Sequence, residues 1–392
     1  MHIVVKEKSG KAIQQAIDEV FTHGGGVVAL ESGIYHSGTL YLKSNVELHV
    51  PAGAVIQGYA DCNLYDDFYH PDYPVTPENC RKALLVACEA ENIALTGNGE
   101  LNGQGPLFYD RNVPEGSFYR RPATPRPRLI QFFGCKNVTV EGINLSDSAG
   151  WSMWMCNCRN VHVSKIRIEG DQRMMNNDGF DIDCCCNVTV NDSFFKTGDD
   201  CLVLRAIRRN SSDEFVCENV TVSNSILNSP CQGIRIGCPS DDTIRHCRFS
   251  NITFNGRGTA ILSQHPERYL RKNCTGYVSI SDISFNNFDI TANGFAVYLH
   301  CTEGINIRGI NRLSFNNFRI NSRQPVLVQG HAGAIFSDIS FNNITGTVND
   351  ETPLVCRYVK NLKLDNVDLS GCTGEIKPAV DPMGNSWETF EL

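Results

Sequence analysis

The segment Asn176–Ala206 reads NNDGFDIDCCCNVTVNDSFFKTGDDCLVLRA. Two features in it set the reading of the whole chain. One is the tetrad NVTV at Asn187, a β-forming alternation opened by a turn residue. The other is a group of four aspartates, Asp178, Asp181, Asp199 and Asp200, with Gly179 and Gly198 beside them. Like charges gathered in one place cost free energy, so either each is separately solvated or the group has a role.

The tetrad recurs. It is NIAL from Asn92, NVTV from Asn137, NVHV from Asn160, NVTV from Asn219 and NITF from Asn251. The series continues as DISF from Asp282, RLSF from Arg312, DISF from Asp338 and NLKL from Asn361. From Asn137 on the interval is about two to three dozen residues, a period typical of solenoids. One such repeat cannot bury its own apolar face. Stacked as coils of parallel strands about 4.8 Å apart, the repeats share a core and align equivalent residues in ladders. The expected fold is therefore all-β, a right-handed single-stranded parallel β-helix. The asparagines then read as turn residues rather than glycan acceptors, although several open an N-x-S/T triplet.

One stretch has helical spacing, SGKAIQQAIDEVFTHGGG from Ser9. Ser9 is the expected cap, Ile13, Ala16, Ile17 and Val20 share a face, and Gly24–Gly26 stop the helix. It is expected to cover the open end of the solenoid, since a bare coil edge recruits other strands. The expected organisation is a single β-helix domain over residues 1–392, with cap and first coils to about residue 60, further coils over about 80–375, and a tail over 376–392. Two polar segments, YRRPATPRPR (Tyr119–Arg128) and QHPERYLRKNCTG (Gln264–Gly276), read as loops that wall a binding face.

A net charge of −8 over 392 residues gives no electrostatic footprint for nucleic acid. No segment is apolar for long enough to cross a bilayer, and the opening MHIVVKEKSGKAIQQAIDEV lacks the basic-then-apolar pattern of a signal peptide. The chain as written is expected in the cytoplasm, or in the periplasm or outside if a leader has been trimmed. Its 18 cysteines sit largely in apolar runs such as GCKNVTV, MCNCRNV and CCCNVTV, and read as small buried hydrophobes in a reducing compartment. CNC and CCC lack the two-residue gap of a zinc pair, so no metal and no cofactor is expected.

Asp178 and the pair Asp199 and Asp200 are separated by slightly less than one repeat, which puts them on adjacent coils at one angular position. Two acids with room for a water between them, about 6.5–9.5 Å apart, meet the requirement for inverting glycoside hydrolysis. Crowding raises the proton affinity of one member, as a general acid needs near neutral pH. An Asp/Asn turn ladder and a calcium site are the competing readings. Adjacent Asp199 and Asp200 would point to opposite faces of a regular strand, so a bend is expected there.

NNDGFD (Asn176–Asp181) and GDDC (Gly198–Cys201) resemble the N-T-D-G-x-D and G-D-D-C signatures of the polygalacturonases and relatives of glycoside hydrolase family 28. The resemblance extends over Ala12–Ile56, Leu95–Gly105 and Arg126–Trp151. It implies Asp199 as general acid, Asp178 and Asp200 as the pair that activates water, and inversion at the anomeric carbon. It also implies supporting positions for Asp181 and Asp183, and it puts Arg205 where the family often has Lys.

Two segments depart from the pattern. Where the family carries G-H-G-x-S-I-G this chain has CQGIRIG (Cys231–Gly237), so Gln232 replaces the histidine and Arg235 a small residue. An amide cannot titrate and acts only by hydrogen bonding. Against the family's R-I-K segment stands RGTAILSQ (Arg257–Gln264), with Ala260 and Leu262 at the basic positions. Arg235 is then either a replacement cation for a substrate carboxylate or a partner of the acidic cluster. The candidate substrate-binding residues are Arg205, Gln232, Arg235, Asp181, Gln264 and His265. Trp151, Trp154, Tyr269 and Tyr298 either stack on sugar rings or pack at the core and rim.

The expected function is an inverting, exo-acting glycoside hydrolase on pectic oligosaccharides such as galacturonan or rhamnogalacturonan. A polysaccharide lyase or uronate epimerase, or a non-catalytic glycan-binding β-helix, is the alternative. The expected partner is an oligosaccharide or polysaccharide, with neither nucleic acid nor membrane.

Overall fold

The computed structural model describes residues 1–70, 80–208, 215–237, 239–267 and 278–370, and the backbone of strands Lys377–Val380 and Ser386–Glu391. Tyr269 and the rest of the Gln264–Gly276 loop beyond Glu267 lie outside the described residues. The chain divides into two compact units, Met1–Asp200 and Cys201–Leu392. Among the described residues no helix is long and apolar enough to cross a membrane.

In the first unit each coil gives one strand to each of three parallel sheets. The first sheet runs through Val46–His49, Glu91–Thr96, Lys136–Glu141, Arg159–Ser164 and Cys186–Asn191. The second runs through Glu100–Asn102, Asn144–Ser146, Arg167–Glu169 and Phe194–Lys196. The third runs through Ala83–Cys88, Arg128–Phe133, Met153–Cys156 and Phe180–Asp183. Alternate residues of the tetrads, such as Val138 with Val140 and Val188 with Val190, are buried and form the core. The architecture is the expected right-handed parallel β-helix.

The tetrad asparagines make the corners. Asn92, Asn137, Asn160 and Asn187, with Asn45 below them in the same ladder, all hold positive φ, between 56° and 62°. Asn tolerates this left-handed geometry better than most residues. Each side-chain amide donates to the side-chain oxygen one coil earlier, at 2.9–3.0 Å from Asn92 to Asn187. The nitrogen that a glycan would need on Asn137 or Asn187 is thus already engaged in the ladder.

The helix spans Gly10–Thr22, with the Ser9 hydroxyl accepting the Ala12 N–H at 3.2 Å. Ile13, Ala16, Ile17 and Val20 are its buried face, as the spacing requires. Gln14 does the work of an absent strand: its side-chain oxygen accepts the Tyr41 N–H at 2.7 Å and its nitrogen donates to the Tyr41 carbonyl at 3.1 Å. Backbone groups on an edge strand are thereby satisfied rather than left to template another chain.

In the second unit the parallel strands are longer: Cys217–Asn228, Thr243–Gly256, Ser279–Phe295, Gly309–Gln324 and Phe336–Val348. A second column holds Leu202–Arg205, Gln232–Ile236, Thr259–His265, Val297–Cys301 and Val326–Gln329. Its core carries a stack of Phe249, Phe285, Phe315 and Phe341, with successive ring centroids 5.1, 4.9 and 4.8 Å apart, which is the coil spacing. The long strands carry two left-handed corners each. Asn251 aligns with Asn287 and Asn317, whereas Asp282 and Arg312 occupy a different column. The tail is not extended chain alone: Ser386–Glu391 pairs antiparallel with Leu354–Lys360 and with Lys377–Val380.

Candidate active site

Asp178 and the pair Asp199 and Asp200 stand at the same corner on successive coils of the first unit. Asp178 precedes the third-sheet strand Phe180–Asp183, and Asp199 follows the second-sheet strand Phe194–Lys196. One carboxylate oxygen from each of the three lies within 4.8 Å of the others. That spacing is between nearest oxygens and is a different measure from the about 6.5–9.5 Å between carboxyl groups of an inverting pair. Two oxygens this close are bridged by one water, since two hydrogen bonds of about 2.8 Å reach about 5.6 Å. Burial sorts the three: Asp178 is 3% exposed, Asp200 is fully buried, and Asp199 is partly exposed.

The expected bend is present, and Thr197–Cys201 belongs to no strand. Gly198 is required there, because a Cβ on it would lie 2.1 Å from the Met174 carbonyl oxygen. The Asp199 carboxylate is oriented by two backbone donors, the Asn176 N–H on Oδ2 at 2.9 Å and the Asp200 N–H on Oδ1 at 3.1 Å. The Thr197 hydroxyl donates to the Asp199 carbonyl at 2.6 Å. Asn177, at the family's threonine position, is 1% exposed and holds the corner to its neighbours. Its side chain donates to the Ser148 carbonyl at 2.7 Å and accepts the Gly198 N–H at 3.2 Å. Asn176 and Asn177 are positioning residues that the motif letters alone did not reveal.

Asp181 and Asp183 are buried on the strand Phe180–Asp183, in register with Trp154 and Cys156. Trp151 and Trp154 are buried and edge-on, with centroids 6.3 Å apart, and belong to a cluster with Phe68, Phe133 and Cys156. They are core residues at this end of the sheet.

The other sequence candidates belong to the second unit. Arg205 is buried at the end of Leu202–Arg205. Gln232 opens Gln232–Ile236, and its carbonyl accepts the Cys201 N–H at 2.9 Å. Arg235 is in register with Leu262, which is in register with Tyr298. Arg235 therefore stands beside Leu262 on the neighbouring coil. Strand alternation parts Gln264 from His265: Gln264 is half-buried, while His265 is buried with its Nε2 3.0 Å from the Ser263 hydroxyl. Burial and the neighbouring His300 push His265 down to about 4.

The spacing of Asp178, Asp199 and Asp200 also suits a hard cation held by oxygens. A second group, His70, Cys88 and Glu89, brings donor atoms within 4.8 Å. Cys88 and Glu89 of this group are exposed, and His70 is partly buried.

The first unit is thus a parallel β-helix with three carboxylates gathered at one corner. Residues 72–217 match the sequence profile of Glycosyl hydrolases family 28. The chain is 24% identical to a probable polygalacturonase of Arabidopsis thaliana over 59% of this chain and 57% of that protein. Among solved structures, a hyperthermoactive exopolygalacturonase from Thermotoga maritima matches with TM-score 0.71 at 19% identity, covering 95% of this chain and 92% of that one. A family 28 exopolygalacturonase of Yersinia enterocolitica matches with TM-score 0.68 at 18% identity, over 92% and 78%. The family match covers the segment that carries Asp178, Asp199 and Asp200. The chain spans 57% of the length of the Arabidopsis relative.

Proposed function

We propose that the chain hydrolyses glycosidic bonds in pectic oligosaccharides, with Asp199 as general acid and Asp178 and Asp200 as the pair that holds and activates water. The observation that carries this reading is the unequal burial of three carboxylates within 4.8 Å. A leaving oxygen arriving from solvent meets the partly exposed Asp199 first. Its carboxyl proton passes to the glycosidic oxygen as the bond to the anomeric carbon breaks. A water bridging Asp178 and Asp200 gives one of them a proton as its oxygen bonds to that carbon, from the side opposite the leaving group. The product is a free sugar of inverted configuration, and solvent restores the proton to Asp199.

Exo action is part of the proposal, supported by the two exopolygalacturonases with the same fold. The test is time-resolved proton NMR of the anomeric signals with galacturonan, rhamnogalacturonan and xylogalacturonan oligosaccharides. The expected result is cleavage with an inverted first product, unchanged by chelator. An unsaturated product, or activity lost on chelation, points instead to lyase chemistry with calcium at the aspartates. No cleavage of any pectic substrate overturns the hydrolase reading.

A further inference from the structure

The loop Tyr119–Pro127 and the strand after it border a pocket of about 570 Å³ in the first unit, lined by Arg121, Arg126, Arg128, Trp151 and Cys80. No carboxylate is among the described residues that line it. Three arginines line this one cavity, of which Arg121 is exposed. Arg128 is the buried member, 2% exposed, its guanidinium 4.7 Å from the ring centroids of both Trp151 and Trp154. Arg126 is fixed by the carbonyls of Ala149 and Met175, at 3.3 and 2.9 Å. Arg121 is exposed and donates to a neutral acceptor, the Asn176 side-chain oxygen, at 2.9 Å.

The same oxygen of Asn176 accepts from Arg126 at 3.1 Å, and the Asn176 backbone N–H donates to Asp199 Oδ2 at 2.9 Å. A single residue thus joins the cations to the proposed acid. Standard bond lengths along that path keep Arg121 within about 11 Å of the Asp199 carboxylate. A chain of sugars seated on Asp199 extends over that distance. Guanidinium forks match a carboxylate with two parallel N–H donors, and an ammonium or hydroxyl does not.

We infer that this pocket is a subsite for the carboxylate of a uronosyl residue neighbouring the bond to be cleaved. The inference rests on the hydrolase reading of Asp178, Asp199 and Asp200. It gives the chain a way to select acidic sugars although Ala260 and Leu262 stand where the family has cations. Arg121 is the recognition residue, with Arg126 holding Asn176 and the loop in place.

The test uses the Asp199→Asn chain, in which cleavage is expected to be slowed about a hundredfold or more, and calorimetric titration at fixed ionic strength. The probes are trigalacturonate and its carboxyl-reduced, neutral galactosyl counterpart. The acidic trimer is expected to bind about tenfold or more tightly than the neutral one, the scale of a charge-assisted hydrogen bond. Adding Arg121→Gln is expected to remove most of that gap while leaving the neutral trimer's affinity unchanged. Equal affinity for the two trimers, binding of neither, or an equal loss for both on Arg121→Gln overturns the subsite. Cleavage assays on the unsubstituted chain separate the two readings. Cleavage without discrimination sinks the subsite and keeps the hydrolase, and discrimination without cleavage does the reverse.

Discussion

Asn177 and Ser148 lie on successive coils and are joined by a buried hydrogen bond of 2.7 Å, side-chain amide to carbonyl. With the Gly198 N–H on its oxygen at 3.2 Å, one side chain links three coils at the corner that carries Asp178 and Asp199. Asn177→Ala removes both bonds from a site with no room for solvent. At about 1–3 kcal/mol for each buried group left without its partner, the expected loss of stability is on the order of 3 kcal/mol. Turnover is expected to fall at least about tenfold, because Asp199 is placed by this corner. A urea midpoint within error of the parent chain would refute the account.

Asp199→Asn is expected to lower the rate of glycoside cleavage by roughly a hundredfold or more, the scale of a general acid. The amide still accepts one backbone N–H but turns its own N–H towards the other. The accompanying stability cost is therefore small, about 1–2 kcal/mol, and the fold is retained. Initial rates on the best substrate, alongside circular dichroism, separate the two effects. Turnover like that of the parent chain would remove Asp199 from the acid role.

Much of this is legible in the amino-acid sequence alone. The capping helix shows its buried face at Ile13, Ala16, Ile17 and Val20, because a 3.6-residue period is a local property. The aspartate corner was also visible, since coil period and motif spacing nearly coincide. Register was harder. NITF at Asn251 and DISF at Asp282 look alike in sequence, yet they start from different corners, since each long strand of the second unit bends twice. The antiparallel pairing of Ser386–Glu391 leaves no mark in a pattern shared by parallel and antiparallel strands. The roles of Asn176 and Asn177 depend on partners 21 to 55 residues away, which only the stacking of coils brings near.

The outer ladder of the second unit makes a prediction with a definite order. Asn287 has φ of 59°, donates to Asn251 at 3.0 Å and accepts from Asn317 at 3.0 Å. Asn287→Gly loses the two exposed bonds but keeps the left-handed backbone at no steric cost. Asn287→Ala loses the same bonds and adds about 1 kcal/mol or more of strain. Thermal or urea unfolding should therefore rank parent above Gly and Gly above Ala. An alanine variant as stable as the glycine variant would show that the corner is not what the asparagine supplies.

His265 makes the chain sensitive to mild acid. Its ring is buried beside Ser263, and burial with the neighbouring His300 pushes it down to about 4 from the ordinary 6.5. In the unfolded chain the ring takes a proton near pH 6.5, whereas the folded ring refuses it until about 4. Unfolding takes up a proton in that window, so stability falls as pH falls through it and is fully present above it. The full shift corresponds to on the order of 3 kcal/mol. His300 is lowered in the same direction by burial and by His331, so the parent chain's acid loss is a sum of contributions. His265→Gln keeps a hydrogen-bonding partner for Ser263 and cannot titrate. Urea unfolding followed between about pH 7 and pH 4 should show the glutamine variant losing markedly less stability than the parent chain. Parallel curves for the two would mean that His265 does not carry the proton linkage.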